Sequence, residues 1–132
     1  MRIGLLRETA ARERRVALVP ATVERLVRQQ HQVLVERGAG AEASFPDDLY
    51  RSAGATIVAG SADATRDADL VVKVQPPDAA QIAALRSGAI LVSLLGPHDQ
   101  AGLKQRIAEV GVSMLALELV PRTTKAQSMD VL

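Results

Sequence analysis

The chain has 132 residues, 23% of them charged, and the charges nearly cancel to a net +1. That length suits one domain able to bury roughly two-thirds of the surface its unfolded chain would expose, and the charge balance argues against a nucleic-acid binder or an acidic tail. With no cysteine and only two histidines, His31 and His98, the sequence offers no disulfide framework and no convincing metal cluster.

The opening MRIGLLRETA places Arg2 and Arg7 around only four residues, too few for the apolar core of a secretory signal. The longest apolar stretches, 89–95 and 112–116, fall far short of the ~20 residues needed to cross a bilayer. A soluble chain in a reducing cytosol, with a small-molecule or protein partner, is the expectation.

Residues 3–6 form a short apolar run, followed by a charged loop. Pro20 then opens a helix over ATVERLVRQQ at 21–30, since its missing N–H would have no partner in the first turn; Val23, Leu26 and Val27 recur at helical spacing. QVLVE at 32–36 reads as a buried strand and GAGAEASF as a loop. PDDLYRSAG at 46–54 reads as a short helix with acids in its first turn and a glycine stop. Residues 56–58 and 70–74 are β-branched runs, separated by SADATRDAD, a short helix capped by Ser61 or Asp63. After Pro76 and Pro77, residues 78–88 read as a helix with Ile82 and Leu85 facing inward and Gly88 closing it. AILVSLL and VSMLAL are near-continuous apolar strands, and between them a helix over 99–111 carries Leu103, Ile107 and Val110 on one face.

Apolar strands without strict alternation, joined by helix-length crossovers, predict an α/β fold with a parallel sheet covered on both sides. A three-layer flavodoxin-like or Rossmann-like domain follows, single and without an internal boundary. Ligands of such sheets bind beyond the carboxyl ends of the strands, here the loops after Leu6, Glu36, Val74, Leu95 and Val120.

Four segments in those loops carry chemistry. GAGAEA at 38–43 offers a glycine-rich turn, but Ser44, Phe45 and Pro46 interrupt where a phosphate-binding helix should open; no dinucleotide is placed there. In RERRVALVP at 12–20, Arg12, Glu13 and Arg14 are expected to face water. Arg15 abuts the apolar VALVP, so its base is anchored while its guanidinium can hold a carboxylate or phosphate. In VVKVQPP, Lys73 must reach the cleft, meet a carboxylate or extend outward, and Gln75 is expected to satisfy backbone groups. The fourth, PRTTKAQSMDVL at 121–132, crowds hydrogen-bonding side chains just after an apolar strand. If it is helical after Lys125, Gln127 and Asp130 share a face. On chemistry alone a solvated or capping Asp130 and an exposed Gln127 are favoured.

Together RIGLLRE, RVALVPATVERL, VLVERGAGAEASFPDDLYRSAGA, DLVVKVQPP and PRTTKAQSMDVL resemble the amino-terminal domain shared by alanine dehydrogenase and the alpha subunit of proton-translocating NAD(P) transhydrogenase. The last tract resembles the transhydrogenase version. The resemblance implies that Arg122, Gln127 and Asp130 contact NAD(H) at the nicotinamide end and act in catalysis, with Thr123, Thr124, Ser128 and Met129 in the same cofactor site. A glutamine amide can answer both the donor and the acceptor of the nicotinamide carboxamide. Arg15 and Lys73 match the residues that hold a substrate carboxylate in alanine dehydrogenases, although both families retain them. Alanine dehydrogenases carry a histidine after the strand equivalent to AILVSLL, where this chain has Gly96; His98 lies two residues on. Hydride transfer between two nicotinamides needs no general acid or base, which suits that difference.

The resemblance further implies a fragment, residues 1–132 of a longer alpha subunit, with the NAD-binding domain beyond it. Membrane components and an NADP(H)-binding domain would belong to partner parts, the assembly would be a homodimer, and this domain would lie on the cytoplasmic side of the inner membrane. The isolated chain is expected to be inactive, and no metal is expected. The alternatives are a fragment of an NAD-dependent alanine dehydrogenase, converting alanine to pyruvate, and a non-catalytic interaction module.

Overall fold

The computed structural model describes residues 1–96 and 100–119. Among them six strands form one wholly parallel sheet: β1 (Arg2–Leu5), β2 (Gln32–Glu36), β3 (Thr56–Val58), β4 (Leu70–Val72), β5 (Ile90–Ser93) and β6 (Ser113–Ala116). The helices between them are α1 (Pro20–Arg28), α2 (Asp47–Ser52), α3 (Ser61–Thr65), α4 (Ala79–Ala84) and α5 (Gln100–Glu109). The strand order is β3-β2-β1-β4-β5-β6. That order is the Rossmann-like arrangement and not the flavodoxin-like one, which the sequence left open.

Successive side chains of a strand point to opposite faces, and the two cores follow from that alternation. On one face Ile3, Leu5, Val33 and Val35 pack with Val23 of α1 and Tyr50 of α2. On the other Leu6, Val71 and Leu91 pack with Ala64 of α3, Ile82 of α4 and Ile107 of α5. Each large aliphatic side chain so buried stabilises the fold by roughly 1.5–3 kcal/mol. The chain therefore changes faces between β3 and β4, and β1 and β4 become neighbours whose exits lead to opposite sides.

Local details depart from the sequence reading in three places. Neither Ser61 nor Asp63 caps α3: its N-cap is Gly60, without a side-chain cap, because the helix begins one residue earlier than a Ser61 cap requires. The helix expected over 78–88 stops at Ala84, since Leu85 turns extended (ψ 137°) and buries its side chain in the second core. Gly88 then works beyond the helix, at φ +88°, its N–H bonded to the Gly111 carbonyl at 2.8 Å. Strand β4 ends at Val72 and not at Val74. Backbone bonds to the β5 side still run from the Lys73 N–H to the Val92 carbonyl and from the Leu94 N–H to the Val74 carbonyl, but the N–H groups of Val74 and Gln75 go to the Glu8 carboxylate from the loop after β1.

Candidate functional site

The exits of β1 and β4 are adjacent, with Leu5 in register with Val72, and the chain leaves them toward opposite faces. This is the topological switch point where open α/β sheets bind ligands. The two loops that meet there hold Arg12, Glu13, Arg14, Arg15, Lys73 and Gln75 of the polar residues singled out in the sequence.

Lys73 is almost wholly buried, and its Nζ lies 3.3 Å from Glu8 Oε1, the two side chains being 2% and 3% exposed. The same Nζ donates to the carbonyls of Gln75 at 2.8 Å and Pro76 at 3.4 Å. Glu8 in turn accepts the backbone N–H of Val74 at 2.8 Å and of Gln75 at 2.9 Å. A buried ammonium thus has an ionised partner and two carbonyls, and a buried carboxylate has an ammonium and two amides, which is the satisfaction that burial demands. Of the three fates open to Lys73, meeting a carboxylate is the one observed.

Arg15 sits over this cluster with its side chain half exposed. Its Nε and one terminal nitrogen each donate to Glu13 at 2.9 Å, as does its backbone N–H. Glu13 was expected to face water beside Arg12 and Arg14. It does not: its side chain is only 7% exposed, because it is the shared acceptor for Arg15 and for Gln75, whose Nε2 donates at 2.6 Å. Gln75 therefore differs from expectation as well, its amide bonding a carboxylate while its backbone serves Glu8 and Lys73. Arg12 and Arg14 are exposed, as expected. The Arg15 guanidinium holds the Glu13 carboxyl down to about 2 against the burial that raises it, with Gln75 assisting. The same contact raises Arg15 further.

Above the pair opens a cleft of about 550 Å³, rimmed by Arg7, Arg12, Arg14 and Arg15 with Thr9 and Gly38. The lining also carries Glu8, Glu13 and Glu42, so four arginines face three acids, and the small cationic excess suits an anionic ligand, a carboxylate or phosphate. The glycine turn contributes little donor capacity, since the Gly38 N–H is bonded to Asp47 Oδ1 at 2.9 Å and the Ala39 N–H to the Glu36 carbonyl at 3.0 Å. Gly40 is small for packing: a Cβ there would lie 2.7 Å from the Phe45 carbonyl and the Tyr50 ring.

Arg15 and Lys73 are thus brought together at the switch point. Arg122, Thr123, Thr124, Gln127, Ser128, Met129 and Asp130 lie outside the described residues, as does His98. Sequence reasoning missed Glu8, Glu36 and Glu118. Glu36 accepts the Arg7 N–H at 2.7 Å; burial pushes its carboxyl up, and that bond only partly offsets the effect. Glu118 accepts the N–H groups of Leu95 and Gly96. The available signal was an acid in or just beyond an apolar strand, which must find donors where the backbone leaves the sheet.

A profile of the family described as Alanine dehydrogenase/PNT, N-terminal domain matches residues 4–132. The chain is 38% identical, over all of its 132 residues, to NAD(P) transhydrogenase subunit alpha of Cereibacter sphaeroides. It is 37% identical over 120 residues, 91% of its length, to alanine dehydrogenase of Mycobacterium tuberculosis. The crystal structure of transhydrogenase from Sinorhizobium meliloti superimposes with a TM-score of 0.91 at 36% identity, covering 98% of this chain and 38% of that one. The chain spans 25% of the first relative's length and 32% of the second's.

Proposed function

We propose, for a chain that belongs to the alanine dehydrogenase/PNT amino-terminal domain family, that it forms one wall of the NAD(H) site of a proton-translocating NAD(P) transhydrogenase. The complete enzyme passes hydride from NADH to NADP. The observation that carries this reading is a match of 38% identity to a transhydrogenase alpha subunit that spans all 132 residues of the chain. Within that tract Arg122, Gln127 and Asp130 contact the nicotinamide end, supported by Thr123, Thr124, Ser128 and Met129. Bound NADH supplies the hydride. The chain's residues orient the carboxamide and need carry no proton, which agrees with Gly96 standing where alanine dehydrogenases have histidine.

The switch point does not separate the two families, since both retain Arg15 and Lys73. Lys73 is bonded to Glu8 and Arg15 to Glu13, so both cations are neutralised without a substrate carboxylate. The NAD-binding domain, the NADP(H)-binding domain and the membrane components are assigned to other parts of the assembly, a homodimer that holds this domain on the cytoplasmic side of the inner membrane. Among the described residues no helix is long and apolar enough to cross a membrane.

A second reading, part of an NAD-dependent alanine dehydrogenase, is favoured by the half-exposed Arg15 on its cationic cleft, where a carboxylate could displace Glu13. The test of cofactor binding is titration of the complete native polypeptide with NADH, followed by nicotinamide fluorescence, for wild type and Gln127→Ala. A saturable change in the wild type and slower hydride transfer in the variant are expected. No binding would favour a non-catalytic interaction module, and an unchanged transfer rate would remove the mechanistic role of Gln127.

A further inference from the structure

Two of the acids lining the switch-point cleft are already answered by cations of the chain. Glu8 is held by Lys73 at 3.3 Å and by two backbone N–H groups. Glu13 is held by Arg15 at 2.9 Å and by the Gln75 amide. Both carboxylates are almost wholly buried. Of the charged groups lining the cleft, that leaves the guanidinium groups of Arg7, Arg12 and Arg14 against one carboxylate, Glu42. All four of these residues are exposed, and among the described residues no acceptor is bonded to any of the three guanidinium groups. Outside the lining, Glu36 and Asp47 answer the N–H groups of Arg7 and Gly38, and burial pushes the Glu36 carboxyl up.

The backbone sets the three arginines around the cleft. Arg7 leaves β1 with its N–H fixed by Glu36, and its side chain lies along Gly38, where an added Cβ would meet its Cδ, Nε and Cζ at 3.8 to 3.9 Å. Arg12 stands at φ +65°, a left-handed conformation uncommon outside glycine, in a turn closed by the Glu13 N–H on the Ala10 carbonyl at 3.2 Å. Arg14 lies between Glu13 and Arg15, whose mutual bonds hold the chain on either side of it.

We infer that this cleft is a site for a phosphate dianion, free or as a phosphomonoester, held by Arg7, Arg12 and Arg14 with the Thr9 hydroxyl. It is distinct from the Arg15 and Lys73 pair matched to a substrate carboxylate, because Glu13 and Glu8 occupy those cations. A carboxylate has one charge and two oxygens, which a single arginine fork satisfies. A phosphomonoester carries about −2 at neutral pH and three acceptor oxygens, which suits three separate guanidinium groups opposed by one acid. Like charges gathered in a cleft focus their field and concentrate anions there. The inference stands apart from the NAD(H) reading, since no residue of the nicotinamide tract enters it.

The test is calorimetric titration of the complete native polypeptide at low ionic strength with inorganic phosphate, ribose 5-phosphate and pyruvate. It compares wild type with Arg12→Gln, Arg14→Gln, Glu42→Gln and, as a control outside the cleft, Arg25→Gln on the exposed side of α1. Wild type should bind a phosphate probe saturably and more tightly than pyruvate. Arg12→Gln and Arg14→Gln should each weaken that binding about tenfold, as loss of a charge-assisted bond does; Glu42→Gln should tighten it, and Arg25→Gln should leave it unchanged. Binding of inorganic phosphate identifies the free anion as sufficient, and binding of ribose 5-phosphate alone identifies an ester. Should Arg12→Gln, at its left-handed φ, not fold, Arg14→Gln carries the test alone. Absence of saturable binding by either phosphate, tighter binding of pyruvate, or an equal loss in Arg25→Gln would overturn the proposal.

Discussion

Lys73 and Glu8 form an ion pair at 3.3 Å that is almost wholly withdrawn from water and joins the exits of two adjacent parallel strands. Removing one partner of such a pair costs about 3–5 kcal/mol, because the other charge is left buried and uncompensated. The two deletions should not be equal. Glu8→Ala strands an ammonium and the N–H groups of Val74 and Gln75, whereas Lys73→Met leaves Glu8 with both amides. Urea unfolding should therefore rank Glu8→Ala as the more destabilised, and the reverse ranking would contradict this account of the cluster.

Glu13 makes stability depend on acid in a defined direction. Its native carboxyl is held at about 2 against an ordinary 4.5, so the native state binds that proton more weakly than the unfolded chain. The stabilisation is fully present above 4.5 and is lost as pH falls toward 2. Its ceiling is about 3 kcal/mol, reduced by solvent screening at the half-exposed Arg15. Urea midpoints of wild type and Glu13→Gln should differ at neutral pH and converge through that window.

Glu36 should behave with the opposite sign. Burial raises its carboxyl, so its stabilising contribution is present below the ordinary value and is lost as pH rises through the raised one. Glu36→Gln keeps an acceptor for the Arg7 N–H and should be least disadvantaged relative to wild type at neutral pH. A larger deficit at neutral pH than at acid pH would show the sign to be wrong.

Two glycines separate close packing from backbone conformation. A Cβ on Gly4 would stand 2.2 Å from the carbonyl oxygen of Ala64, where α3 rests on β1. Gly4→Ala should therefore cost at least the ~1–3 kcal/mol of an overpacked core. At Gly88 nothing lies within 4 Å of an added Cβ, but φ is +88°; Gly88→Ala should cost only the strain of that conformation, about 1–3 kcal/mol. Thermal unfolding of both variants should place Gly4→Ala lower.

Much of the fold was legible in the sequence because apolar runs and their breaks are local signals. Residues 56–58 and QVLVE at 32–36 are strands as read, and Pro20 opens α1. Strand order was not legible, since it depends on pairings such as Leu5 with Val72 between segments far apart in the chain. The site divided the same way. Arg15 and Lys73 stood out by being cations beside apolar runs, but their partners Glu13 and Glu8 looked like ordinary loop charges. Only the folded chain shows that Gln75 and Arg15 converge on Glu13, or that an acid three residues beyond β1 serves the loop after β4.

The central claim, that this domain serves nicotinamide-to-nicotinamide hydride transfer, is tested most directly by assaying the complete native enzyme in two parallel reactions. One offers NADH and an NADP analogue of distinct absorbance; the other offers NAD and alanine. Reduction of the analogue, with no pyruvate from alanine, is expected. Pyruvate formation coupled to NAD reduction, with no transfer to the analogue, would contradict it.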